Sequence, residues 1–251
     1  MLLAIDVGNT QILIALYDDA AGSEIRDHWR LATSSDRTSD EYAVLVRQLL
    51  GDVQPEGIAI SSVVPRATGA LRSMSTKYFK LEPVVVEPGT KTGMPILIDN
   101  PREVGADRIV NAIGAYDLYG GPSVVIDFGT ATTLDAVSAK GEYLGGAILP
   151  GIDISMDALF SRADRLSRVE LVEPRSVIGK STMEALQSGA IYGFAAQVDG
   201  IARRMEDELG ECTVVATGGL SGLISRFSAT IQHVDPWLTL HGLRLVYQRN
   251  V

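Results

Sequence analysis

The chain is poor in the residues that staple a fold or take a soft metal: among 251 residues it has one cysteine, three histidines, two tryptophans and 6% aromatics. A lone Cys212 cannot build an intrachain disulfide framework and fits a reducing cytosol, so a cytoplasmic location is expected. His28, His233 and His241 lack metal-ligand spacing and Cys212 has no evident base, which argues against a zinc site or a Cys-His nucleophile. No window approaches about 18 uncharged apolar residues, so no membrane span is expected. The N-terminus begins an apolar strand broken by Asp6, without a basic leader, so a signal peptide is not expected either. Basic residues are in the minority, 22 against 31 acidic ones, giving a net charge of -9 and a pI near 4.8. That balance argues against a nucleic-acid partner, which needs a basic face. Low-complexity tracts and long linkers are also missing. What is abundant is core: 46% hydrophobic residues and a mean hydropathy of +0.15 in 26.9 kDa. This is enough for one large interior or two domains of about 120 residues each.

Two turns share one design. Asp6-Val7-Gly8-Asn9-Thr10 follows the apolar run Leu2 to Ile5, and Asp127-Phe128-Gly129-Thr130-Ala131-Thr132 follows Val124 to Ile126. An Asp at a strand end can hold Mg²⁺ directly or through water. The glycine admits oxygen atoms close to the backbone, and the threonines add donors. Either turn alone is explained by an Asp stabilising a loop; the repetition favours cation and phosphate binding.

The elements around these turns also repeat. In the first half, strands are expected at Leu2 to Ile5, Ile12 to Tyr17 and His28 to Ala32. A helix follows from Ser39 to Leu50, with a Thr38/Glu41 capping box and Gly51 as C-cap. A strand near Ile58 to Val64, a helix from Pro65 to Phe79, a strand at Val84 to Val86 and a helix from Asn100 complete it. In the second half, strands are expected at Ser123 to Ile126, Thr133 to Val137 and Tyr143 to Ile148, then a helix near Asp153 to Phe160. A long helix over Thr182 to Leu209, a strand at Thr213 to Ala216, a helix around Leu220 to Phe227, a short strand near Ile231 and a last helix from Trp237 follow. The pattern predicts an α/β fold of two ribonuclease-H-like (actin-like) domains, residues 1–120 and 121–251, with the boundary at the turn-rich Gly120-Gly121-Pro122 and a nucleotide cleft between them.

Four further segments bear on chemistry. Val214 to Gly219 is a strand ending in a permissive glycine turn, where a base and ribose could lie; a plain strand-to-helix turn explains it nearly as well. In Asn100 to Arg108, Asn100, Pro101 and Glu103 predict a helix start. Ala106, Ile109, Ala112, Ile113 and Tyr116 should then share a buried face, with Glu103, Asp107, Asn111 and Gly114 opposite. Gly105 costs such a helix roughly 1 kcal/mol relative to Ala, which suggests close approach of a ligand or another backbone. Asp107 there either favours the helix dipole or carries chemistry. Arg162, Arg165 and Arg168 read as a solvated face, with a phosphate or partner contact as the alternative. Ser188, Gly189, Gly193, Ala196 and Gly200 recur at three- and four-residue steps in the long helix. Close helix packing, within the domain or across a dimer, is expected there. Gly179-Lys180-Ser181-Thr182 lacks the leading glycine and strand of a P-loop, and Asp127-Phe128-Gly129 lacks the His-Arg-Asp of a protein kinase.

In order along the chain, Asp6 to Thr10, Val104 to Asn111, Ile126 to Thr133, Tyr143-Leu144-Gly145-Gly146, Ala216 to Leu220 and Leu238 to Leu245 resemble the type III pantothenate kinase family of the actin and sugar-kinase superfamily. The resemblance covers essentially the whole chain. It implies ATP-dependent phosphorylation of the primary hydroxyl of pantothenate to 4'-phosphopantothenate, the first step toward coenzyme A. By similarity, Asp6, Val7, Gly8, Asn9, Thr10, Gln11, Ile12 and Leu13 cradle the ATP phosphates with Mg²⁺, and Thr130 adds a phosphate contact. Asp127 resembles the ligand of a monovalent cation, K⁺ or NH₄⁺. Gly105, Ala106, Asp107 and Arg108 match the pantothenate-binding stretch, Asp107 matches the proton acceptor, and Thr182 matches a further substrate contact. The family is typically a homodimer. Three positions depart from its common pattern: Ile98 stands in place of a frequent Tyr, Ser181 of an Asn and His241 of a Glu. Two rivals use the same fold: a non-catalytic ATP-binding regulator, and a kinase or phosphatase for another substrate.

Overall fold

The computed structural model describes residues 1–19, 22, 24–163, 166 and 168–251. Two compact units result, one of Met1–Leu118 with Trp237–Val251 and one of Tyr119–Pro236.

The first unit is built on β1 (Leu2–Val7), β2 (Gln11–Tyr17), β3 (Ile25–Ala32), β4 (Gly57–Ser62) and β5 (Val84–Val85) in the order β3-β2-β1-β4-β5. β1 pairs antiparallel with β2 and parallel with β4. Alternation divides the sheet's side chains between two faces. Leu3, Ile5, Val7, Ile12, Ile14, Ile58 and Ile60 pack with α1 (Ser39–Leu50) and α2 (Pro65–Met74). α1 carries the expected Thr38/Glu41 box and Gly51 cap.

Two expected helices differ. The helix from Pro65 ends its α-turns at Met74 and widens into a π-turn over Ser75–Phe79, where the Ser75 hydroxyl donates to the Leu71 carbonyl at 2.8 Å. The helix expected from Asn100 begins as a 3-10 turn, Pro101–Glu103, and stops at extended Val104. Asn100 caps only Arg102 N–H. The true helix α3 starts at Ala106 and runs to Tyr119. Gly105 therefore precedes this helix instead of interrupting it.

α3 is also buried more completely than its apolar stripe predicts, because α7 (Leu238–Gln248) covers the face carrying Asn111 and Gly114. Thr239 Oγ1 donates to Asn111 Oδ1 at 2.7 Å, and a Cβ on Gly114 would stand 2.7 Å from the Leu238 carbonyl. His241 Nε2 lies 2.8 Å from Asp117 Oδ2 across the same crossing. α7 also packs on β1 and β4, with Leu238, Leu240, Leu243 and Val246 fully buried.

The second unit repeats the plan with β6 (Ser123–Phe128), β7 (Ala131–Val137), β8 (Tyr143–Pro150), β9 (Thr213–Thr217) and β10 (His233–Val234), ordered β10-β9-β6-β7-β8. β6 pairs antiparallel with β7 and parallel with β9, as β1 does with β2 and β4. A register shift near the far end of the second strand recurs too, at Leu16/Tyr17 and at Ala136/Val137. α4 (Ile152–Arg162), α5 (Thr182–Leu209) and the short α6 (Ser221–Ile224) complete it, and α4 and α5 cover the core around Ile126, Leu134 and Ala216. The short strand lies two residues beyond Ile231.

Candidate active site

Each repeated Asp is the penultimate residue of the central strand of its sheet. Asp6 stands opposite Leu13 on β2 and Ser61 on β4, and Asp127 opposite Thr133 on β7 and Thr217 on β9. Both are half-buried at the mouth of a tight hairpin: Gly8 N–H donates to the Gln11 carbonyl at 3.0 Å, and Gly129 N–H to the Ala131 carbonyl at 3.1 Å. Asn9, Thr10 and Gln11 are exposed at the first turn. Val7 and Ile12 send their side chains into the core, leaving only backbone groups at the turn surface. Leu13 is half-buried, as is Thr130 at the second turn.

The sequence motifs miss the residues that brace these turns. Thr33, just beyond β3, donates its hydroxyl to the Gly8 carbonyl at 2.7 Å and its N–H to the Thr10 carbonyl at 3.0 Å. Gly151, just beyond β8, donates its N–H to the Thr130 carbonyl at 3.1 Å, and a side chain there would overlap that carbonyl. The topological equivalence of β3 and β8 is the signal that finds them.

The third glycine element converges on the second turn. Gly218 has φ +90, and a Cβ there would stand 2.5 Å from Asp127 Oδ1 and 2.7 Å from Phe128 backbone atoms. Glycine is required here on both counts. Gly219 beside it faces open space.

Gly105 and Asp107 open α3. A side chain on Gly105 would overlap Asp107 Oδ1, so the missing Cβ is what admits the carboxylate. Oδ1 accepts from the Arg108 N–H at 2.8 Å, which holds it against the first turn of the helix, at the positive end of its dipole. Beside this point is a cavity of about 840 Å³ lined by Val63, Arg72, Thr90, Arg102, Gly105 and Ala106, among others. Its size falls in the range of small-molecule sites. Ile96 lines it, whereas half-buried Ile98 is outside the lining.

Thr182 is the first residue of α5 in the other unit and is exposed. Ser181 caps that helix by accepting from Glu184 N–H at 3.2 Å. The Glu184 carboxylate takes the Arg175 guanidinium and, at 3.0 Å, the Lys180 N–H; the arginine first and the amide second hold its pKa below the usual value. Arg168 pairs with Asp157 at 2.7 Å, while Arg165 lies outside the described residues.

No cluster of three or more His, Cys, Asp or Glu suited to a metal occurs among the described residues. What the two turns offer a cation is a single carboxylate each, with hydroxyl and carbonyl oxygens beside it. Oxygen donors of this kind suit hard cations such as Mg²⁺ better than soft ones. No described helix is long and apolar enough to cross a membrane.

Residues 2–204 match the family model for type III pantothenate kinase. The type III pantothenate kinase of Moorella thermoacetica is 56% identical, with all of both chains covered. Among solved structures, a protein described as a Baf family transcriptional activator from Campylobacter jejuni superposes with a TM-score of 0.63 at 20% identity, covering 99% of this chain and 98% of its own. A ROK hexokinase from Thermus thermophilus does so at 0.52 and 13%, covering 99% and 98%. At such identities the structures speak to the fold alone, and the fold is that of the actin-like sugar kinases.

Proposed function

The chain belongs to the type III pantothenate kinase family, and on that premise we propose how its residues divide the work of transferring a phosphoryl group from ATP to pantothenate. The reaction is the first step of coenzyme A biosynthesis. The observation that carries the assignment is the Gly105-Asp107 pair: a carboxylate seated by a missing side chain, at a helix start, beside a cavity of small-molecule size.

Asp107 orients the primary hydroxyl of pantothenate and accepts its proton. Gly105, Ala106 and Arg108 form the surrounding wall, with Thr182 as a further contact. Asp6 through Leu13 hold the ATP phosphates, chiefly by the turn's N–H groups and the Asn9, Thr10 and Gln11 side chains, and Thr130 adds a contact. Bound Mg²⁺, near Asp6, would supply neutralisation of phosphate charge. Asp127 is assigned to a monovalent cation, K⁺ or NH₄⁺, supported by its hairpin position and by Gly218 closing against it. Because phosphoryl transfer is mostly positioning and charge neutralisation, the two turns carry more of the rate than the base does.

The family's usual homodimer is proposed here as well, together with a cytoplasmic location. Support for the dimer comes from α5, where Gly189 and Gly193 are exposed and a Cβ on either would meet nothing within 4 Å. Those small residues are not packed within their own unit. The test of function is ADP release coupled to a spectroscopic readout, with and without pantothenate and with and without K⁺. Pantothenate-dependent release that rises with K⁺ is expected; release indifferent to pantothenate would overturn the assignment.

A further inference from the structure

The triphosphate of ATP carries about four negative charges near neutral pH, of which one Mg²⁺ offsets about two. Neither Asp6 to Leu13 nor Asp127 to Thr133 contains a lysine or an arginine. Any further side-chain cation comes from outside the turns, and strand register points to one. Asp6 pairs with Leu13 on β2, and Leu13 with Arg30 on β3. Trp29 and Leu31 pack with the core of the first unit, so alternation along β3 puts Arg30 on the other face, the one that carries Asp6. The two residues share a row across the sheet, two strand spacings or about 10 Å apart at Cα.

Arg30 is exposed, and its Nη1 donates to Gln11 Oε1 at 3.3 Å, which draws the guanidinium toward the turn. Neighbouring cations are already committed. Arg26 pairs with Asp18 at 3.0 Å and Arg66 with Asp36 at 2.9 Å, while Arg37 donates to the Ala32 carbonyl at 3.2 Å and lies over the Tyr42 ring. Among the described residues Arg30 has no acidic partner, and Gln11 takes one of its five N–H donors. We propose that Arg30 is a phosphate-binding residue that holds the outer phosphates of ATP beside the first turn, the part that a lysine inside the turn takes in a P-loop. This rests on the reading of Asp6 to Leu13 as the phosphate turn given above. A guanidinium meets phosphate oxygens through parallel N–H donors, so Arg30 both offsets charge and fixes orientation, which a lysine at the same place does less well.

The experiment measures KM for ATP and KM for pantothenate in the unmodified protein, Arg30→Gln, Arg30→Lys and Thr10→Ala, at fixed ionic strength and free Mg²⁺. Neither constant depends on the fraction of folded enzyme. Arg30→Gln is expected to raise KM for ATP roughly tenfold, the scale of one charge-assisted hydrogen-bonded pair, with KM for pantothenate within about twofold; Arg30→Lys should fall between. The rise in unfolding temperature given by Mg²⁺ with a non-hydrolysable ATP analogue should shrink in Arg30→Gln as well, a readout that needs no turnover. A rise in KM for ATP below about threefold, an equal rise for both substrates or an undiminished thermal shift overturns the inference. Thr10→Ala probes the turn itself. If neither Thr10→Ala nor Arg30→Gln raises KM for ATP, the reading of the turn fails and the inference with it. If Thr10→Ala does and Arg30→Gln does not, Arg30 alone loses its role.

Discussion

Gly105 and Asp107 function as one unit at the scale of single residues, because the absence of a Cβ on the first makes room for the carboxylate of the second. Asp107→Asn keeps the shape and removes the proposed proton acceptor. Its kcat is expected to fall by about 10² to 10⁴, the usual scale of general-base catalysis, with ATP affinity measured by calorimetry unchanged. Near-normal turnover in that variant would remove Asp107 from its role. Gly105→Ala should also lower kcat, by displacing the carboxylate while leaving it chemically intact. The Asp-Gly-Thr turns and the Gly-Ala-Asp-Arg block are legible in the sequence because they demand particular side chains, or none, at fixed spacing. Thr33 and Gly151 are not, since a brace donating to a backbone carbonyl can stand anywhere in the chain that the topology brings near.

Elements show where local signals are overridden. Asn100, Pro101 and Glu103 satisfy the rules of a helix start, yet the chain makes a single 3-10 turn and restarts at Ala106. Local capping cannot report that Asp107 needs the space beside Gly105. Conversely, α5 has the bounds expected from its sequence, because 28 residues of continuous helical pattern leave little for tertiary contacts to change. α5 also supplies a buried carboxylate that no motif announced. Asp199 accepts from Ser228 Oγ at 2.5 Å, Ala229 N–H at 2.8 Å and Thr230 Oγ1 at 2.8 Å, tying the segment before β10 to the helix. Burial pushes its pKa up, but these donors outweigh burial together and hold it below its ordinary value of 3.8. A group lowered in the folded state stabilises above its unfolded pKa, and that contribution is lost as pH falls through the folded value. Asp199→Asn is therefore expected to cost about 1–3 kcal/mol near neutral pH, and less below pH ~4. Thermal unfolding at pH 7 and pH 3 checks this, and an equal loss of Tm at both would contradict it.

The whole molecule is a duplication whose chain does not divide simply in two, since α7 packs with the first unit after the second has been completed. Helical periodicity shows that Leu238 to Val246 must be covered; it does not say by which sheet. The same limit applies outward, at the exposed small-residue face of α5. A helix that keeps Gly189 and Gly193 on an open surface accepts about 1 kcal/mol per glycine relative to alanine. With nothing inside the unit requiring it, a second copy approaching closely is the economical reason. The proposed dimer should therefore give a mass near twice 26.9 kDa by light scattering. Gly189→Trp should reduce this to the single-chain mass while leaving the far-UV circular dichroism unchanged, because position 189 is exposed and a Cβ there meets nothing within 4 Å. A variant that remains dimeric would exclude this face as the interface. An unmodified protein that runs as a monomer would remove the dimer itself.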